Sequence, residues 1–235
     1  MSVTPRQLLE KFSQSATLLP GLPEHEIAQF QQQLRCPVPE EIRQTLSFSA
    51  GFNSNTFGAV RFTGHQDFEL TDLFPQSVAL LPDGCGNFWV VDINPKNGTW
   101  GLVFYACHDP AVIVLQARDL VTFISQVLDA ENTEPRDALR YVRGEAVKII
   151  WRDDPWLVPV RDARVSQDSV VSQFAEHLPE GFGVADLRPA GFGSGFSWGK
   201  AGPNAEVRRH GAELVFGIQQ RVPSFLRKIF ATRRS

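Results

Sequence analysis

The stretch DGCGN, residues 83–87, places the thiol of Cys85 between two glycines, directly before the aromatic and β-branched run FWVVDI. A nucleophilic cysteine needs a lowered pKa, supplied by a helix N-terminus or a cationic neighbour, and a base within hydrogen-bonding reach. The run after Cys85 reads as a strand, so no helix dipole is on offer. The next histidine downstream, His108, could reach Cys85 only if the chain turned back. A second chemical group is CHDP, residues 107–110. In an extended segment Cys107 and Asp109 point one way and His108 the other, which breaks up a three-ligand cluster. The chain holds no second compact set of His, Cys and carboxylate residues, so neither a metal nor any other cofactor is expected. Turn chemistry explains the same letters. Gly84 and Gly86 allow a tight bend, Asp83, Asn87 and Asp109 cap backbone N–H groups, and Cys85 lies on the approach to a core strand.

Two further segments invite chemistry. GFGSGFSWGKAG, residues 191–202, is glycine-rich but lacks GxxxxGK[ST] and the strand and helix expected around a dinucleotide loop. It reads as an irregular loop carrying Phe192, Phe196 and Trp198, either folded over its own unit or open to a partner. The tail RVPSFLRKIFATRRS combines four apolar residues with Arg227, Lys228, Arg233 and Arg234. It reads as a short basic amphipathic helix that docks on the protein or stays solvated, since stable membrane anchoring takes more than one weak signal.

Residues with this chemistry need elements to hold them, and composition bounds what those elements can build. At 235 residues with 43% apolar and 11% aromatic content, the chain can bury a sizeable core. It shows no basic-then-apolar leader and no run of 18 apolar residues, which leads to the expectation of a cytoplasmic protein with no transmembrane segment. Three cysteines without a CxxC pair exclude a disulfide framework and a zinc ribbon. The net charge of −3 hides an asymmetry: residues 1–139 carry eight Lys and Arg against sixteen Asp and Glu, whereas 140–235 carry fifteen against ten. A slightly acidic chain with few interleaved basic and aromatic positions argues against nucleic acid as partner.

Thr4-Pro5, Pro23 and Pro39-Glu40-Glu41 open three helices, the second with Leu22, Ile27, Phe30 and Leu34 near one face, and Gly51 is the expected stop of the third. From Gly58 the period shifts toward two. AVRF, NFWVVDI, TWGLVFYA and AVIVLQ read as strands, the middle two joined by a hairpin at Asn97-Gly98, and FELTDLF reads as an irregular or short-strand connection. DLVTFISQVL returns to helix under Asp119. The order gives an α+β fold: helices packed on a mixed, mostly antiparallel sheet. The polar stretch 129–137 marks a boundary. The expected division is a domain of residues 1–135, a helical connector 136–150, and a small α+β unit 151–235 that ends in the basic tail. SVVSQFAEHL is the helix of that unit, and FGVADL, AEVRR and AELVFGI are its strands.

Residues 21–52, with the pattern GL…E…I and CPVPEEIR ending in Gly51-Phe52, are followed by DGCGNFWVVD and then by the HDP of residues 108–110. Together they resemble the SUKH superfamily, in the branch related to the fungal Smi/Knr cell-wall-synthesis regulators, over about residues 5–130. The residues matching its sheet motif are Asp83, Gly84, Gly86, Asn87, Trp89, Asp92, His108 and Asp109. The resemblance implies helices on a mostly antiparallel sheet, no common catalytic set, and work by protein binding. Bacterial members resemble immunity proteins that bind and neutralise a cognate toxin, and fungal members are regulatory hubs.

The expectation is therefore a non-enzymatic module with a protein partner, an immunity-type protein facing a toxin, with a basic nuclease suited to the acidic N-terminal part. Asp67, Glu69 and Asp72, in the irregular segment before the long strand, are the expected partner contacts, because loops carry variable recognition. Two alternatives stay open: a regulatory scaffold in signalling or envelope biology, and an enzyme using Cys85 and His108.

Overall fold

The computed structural model of this chain describes residues 3–13, 17–64, 70, 73–130 and 137–221. Helix α1 (Pro5–Phe12) is opened by a capping box: Thr4 Oγ1 accepts from the Gln7 amide at 3.2 Å while Gln7 Oε1 accepts from the Thr4 amide at 3.0 Å. Strand β1 (Thr17–Leu18) leads to α2 (Glu24–Leu34), which buries Ile27, Phe30 and Leu34 and stops at Arg35, whose left-handed backbone cannot continue the helix. Helix α3 (Glu40–Phe48) carries Glu40 and Glu41 in its first turn, where they oppose the helix dipole favourably. It ends at Ser49. Gly51, expected to terminate it, instead begins β2 (Gly51–Ser54), because its backbone passes so close to the Val60 carbonyl that a Cβ would collide with it. Strand β3 (Gly58–Arg61) completes a three-stranded antiparallel sheet with β1 and β2.

The central sheet follows. Strands β4 (Ser77–Pro82), β5 (Phe88–Ile93), β6 (Trp100–His108) and β7 (Ala111–Ala117) form an antiparallel meander, and helix α4 (Leu120–Asp129) starts at Asp119, whose Oδ1 accepts from the Thr122 amide at 2.7 Å. A continuous helical stretch runs through α5 (Ala138–Tyr141), a π-helical turn (Val142–Ala146) and α6 (Val147–Asp153). Beyond it come β8 (Leu157–Pro159), α7 (Val160–Arg164), α8 (Ser169–Glu176), β9 (Phe182–Asp186), β10 (Gly195–Ser197), β11 (Val207–Arg209) and β12 (Val215–Gln219).

The glycine-rich segment is not an irregular loop throughout. β10 pairs antiparallel with β7, so the central sheet has the order β10-β7-β6-β5-β4, while β11-β12-β9-β8 form a second sheet. The reason is steric: Gly195 packs against the Ile113 carbonyl more closely than any side chain would permit. Phe196 is fully buried and only Phe192 stays exposed. The expected boundary at residue 151 falls inside the helical stretch that ends at Asp153.

Among the described residues every strand pair is antiparallel, in line with the mostly antiparallel sheet expected from sequence. The layers alternate. One core lies between the central sheet and helices α1–α4 with the π-containing stretch, using Trp89, Val91, Val103, Tyr105, Val112 and Val114 from the sheet. The other face of the same strands, Ala79, Val90, Phe104, Ala106, Ile113 and Leu115, meets Ala185, Leu187, Phe216 and Ile218 of the second sheet. A third core joins that sheet to α7 and α8. Burial on both faces explains why FWVVDI and AVIVLQA read as apolar runs without clean alternation. Among the described residues no helix is long and apolar enough to cross a membrane.

Candidate functional site

Two tight turns meet at one end of the central sheet. The first, between β4 and β5, is organised by Asp83. Its Oδ1 accepts from the amides of Cys85 (2.7 Å) and Asn87 (3.1 Å), and its Oδ2 accepts from Asn87 Nδ2 (2.8 Å) and from the Tyr105 hydroxyl (2.8 Å). Gly84 and Gly86 both take positive φ, 80° and 86°, which the turn requires. The second turn, between β6 and β7, consists of Asp109 and Pro110 alone, since His108 pairs directly with Ala111. Asn87 links the two turns: its Oδ1 accepts from the His108 amide at 2.9 Å and lies 2.7 Å from His108 Nδ1.

This geometry corrects one expectation. Asp109 is exposed and, among the described residues, its carboxylate caps no backbone group; Asn87 does that work from the neighbouring hairpin. A two-residue connection leaves Asp109 no loop amide within reach. His108 is exposed but tied to Asn87, and the Gly86 backbone lies against its imidazole ring. Cys85 sits exposed at the tip of the first turn, and its sulfur has no hydrogen-bond partner among the described residues.

Electrostatics follow from burial and from this hydrogen bonding. Desolvation alone would raise the Asp83 carboxyl, but donors from Asn87, Cys85 and Tyr105 outweigh it and hold the group below the usual carboxylate range. Burial, reinforced by the Asp83 charge, pushes the Tyr105 hydroxyl well above the normal phenol range. Burial likewise raises the thiols of Cys107 and Cys36. Both are kept as thiols, the less reactive form. Behind the turns, Trp89 is fully buried against Tyr105 (ring centroids 4.7 Å apart) and Phe57 (6.1 Å), and its indole N–H donates to Gln116 Oε1 at 2.9 Å.

Asp92 is the motif residue placed away from these turns. It is buried on β5, where Arg209 of β11 grips it with two parallel hydrogen bonds, Nη1 to Oδ1 at 2.8 Å and Nη2 to Oδ2 at 2.7 Å. Sequence reasoning missed this pair. The two residues lie 117 positions apart in separate expected units, and the only available signal was an aspartate inside an otherwise apolar strand. The expected partner contacts Asp67, Glu69 and Asp72 lie outside the described residues, as does the basic tail. Among the described residues no group of three His, Cys, Asp or Glu is placed to hold a metal ion. The arrangement presents a rigid, polar, turn-built surface, with Gly84, Cys85, Gly86, His108 and Asp109 outermost.

No curated protein matches the chain. The model of the SMI1 / KNR4 family (SUKH-1) matches residues 21–126, from just before α2 into α4, and takes in both turns, Trp89 and Asp92. Residues 21–126 of this chain, helices on an antiparallel sheet, are therefore a domain of the SMI1 / KNR4 family (SUKH-1).

Proposed function

We propose that the chain is a non-enzymatic, cytoplasmic protein-binding module of the immunity type, which binds a cognate bacterial toxin and neutralises it. The SUKH-1 match over residues 21–126 carries this reading, since likeness to that family implies work by protein recognition. The site supports it. Asp83, Tyr105 and His108, the groups that could serve proton transfer, are engaged, with Asn87 as the link, in holding two turns. Such preorganisation favours recognition, because little side-chain freedom is lost on binding. The excess of carboxylates in residues 1–139 suits a basic partner of the nuclease type, and Asp67, Glu69 and Asp72 are the proposed contacts.

The test uses full-length protein as bait in lysate of the native host. The captured protein is identified, expressed alone to measure its toxicity, and then co-expressed with the wild-type chain or with Asp67→Lys/Glu69→Lys/Asp72→Lys. Relief of toxicity by wild type and its loss in the triple variant is the expected result. Capture of several partners, none of them toxic, would sink the immunity reading and favour a regulatory scaffold.

A further inference from the structure

The SUKH-1 match ends at residue 126, yet the central sheet does not end there. Its outer face is apolar across four strands and extends onto Phe196 of β10; beside Leu73 and Phe74 of the matched domain, the residues that cover it come from the segment after the match: Ala185, Leu187, Phe216 and Ile218. Phe196 and Phe216 stack with centroids 5.0 Å apart, one on each sheet. Without this cover Val90, Ile113 and Leu115, now less than 1% exposed, would form one apolar patch beside Phe104, whose ring Phe74 still meets at 5.2 Å between centroids. Monomers seldom leave such a patch open to water.

The cover is locked by a residue with no freedom left. An arginine has five N–H donors. Arg209 uses all five: Nε to the Glu213 carbonyl (2.9 Å), Nη1 to the Leu73 carbonyl (2.9 Å) and Asp92 Oδ1, and Nη2 to Asp92 Oδ2 and the Ala212 carbonyl (3.1 Å). Its guanidinium also lies 5.4 Å from the centre of the Phe216 ring. The paired side chains are only 6% and 10% exposed. A second tie binds the segment elsewhere: Arg118 Nη2 donates to the Ala190 carbonyl at 2.6 Å.

We propose that the second sheet, β11-β12-β9-β8, is a built-in cover of the SUKH-1 sheet, closed by the Arg209–Asp92 clasp, and that the outer face of this sheet is thereby withdrawn from partner binding. The SUKH-1 domain and its extension then form one cooperative unit, and a partner protein meets the chain at the sheet ends or the helical layer. This inference stands on the packing alone and holds whether or not the partner is a toxin.

The test compares full-length wild type with Arg209→Met, Asp92→Leu and the double variant, by thermal unfolding, hydrogen exchange and binding of an apolar dye. Each single variant leaves one buried charge unpaired and lowers Tm by about 5–10 °C, whereas the double variant loses markedly less than the sum. In Arg209→Met, amides of β5 and β6 exchange faster together with those of β11 and β12, and dye binding rises. Should a single variant fail to fold, Arg209→Lys, which keeps the charge but not the two-pronged grip, gives the same pattern at smaller amplitude. Additive losses in Tm, or faster exchange confined to β11 and β12 with no added dye binding, would overturn the proposal.

Discussion

The Tyr105 hydroxyl donates to Asp83 Oδ2 across 2.8 Å, tying the centre of one β-hairpin to the turn of another. This bond sets how the turn responds to acid. The folded-state pKa of Asp83 is depressed, so its contribution to stability is complete above the unfolded carboxylate value of roughly 4 and is lost as pH falls through the lower folded value. Tyr105→Phe should cost about 1–3 kcal/mol at pH 7, the range for a hydrogen bond to a charged group. Asp83→Asn should flatten the decline in stability between pH 5 and about 2. Denaturant melts of the three proteins across that range provide the check. An unchanged acid limb in Asp83→Asn would show that another group governs it.

Thiol chemistry separates the binding reading from the enzymatic one. Cys85 is exposed, whereas Cys36 and Cys107 are buried. A chromogenic disulfide reagent should titrate one thiol in the folded protein and three after denaturation. Cys85→Ser should leave Tm within error of wild type. Loss of a measurable activity on alkylation of Cys85 would restore the enzymatic alternative.

The two phenylalanines of the glycine-rich segment should behave oppositely. Phe196 is fully buried between the sheets, and its truncation to alanine should cost about 3–5 kcal/mol. Phe192 is 48% exposed and, among the described residues, stacks on Tyr141, so Phe192→Ala should cost less than about 1 kcal/mol. Equal costs in chemical denaturation would contradict the strand assignment of β10.

The β5–β6 hairpin should not tolerate Gly98→Ala. Gly98 has φ 70°, and a Cβ there would run into the Pro37 carbonyl between α2 and α3. Strain and collision together predict a loss of at least about 2 kcal/mol. Asn97→Ala removes the hydrogen bond from the Thr99 amide to Asn97 Oδ1 at 3.0 Å and should cost about 1 kcal/mol. The ratio of the two losses in urea melts is the measurement.

Local signals carried far along this chain. Thr4-Pro5 and Asp119 announce helix starts, and each capping side chain accepts from an amide of the helix it opens. Asn97-Gly98 announces the β5–β6 hairpin. Order along the first 130 residues pointed to the family, and the DGCGN stretch was readable as a turn because Asp, Asn and Gly have distinctive backbone chemistry. Strand β4, SVALLP, gave no such signal: it is buried on both faces and bulged at Leu80, so no period of two survives in its letters.

Sequence by itself thus determined the capped helices, the Gly-containing turns and the α+β class, since capping, positive φ and apolar period act over a few residues. Tertiary structure alone decided the rest. It moved β10 out of its expected unit into the central sheet, gave Asn87 rather than Asp109 the capping of His108, and paired Asp92 with Arg209. Those choices depend on which apolar face meets which and on where a buried charge finds its counter-charge. Both are set by packing between segments 21 to 117 residues apart, and neither leaves a periodic mark in the chain.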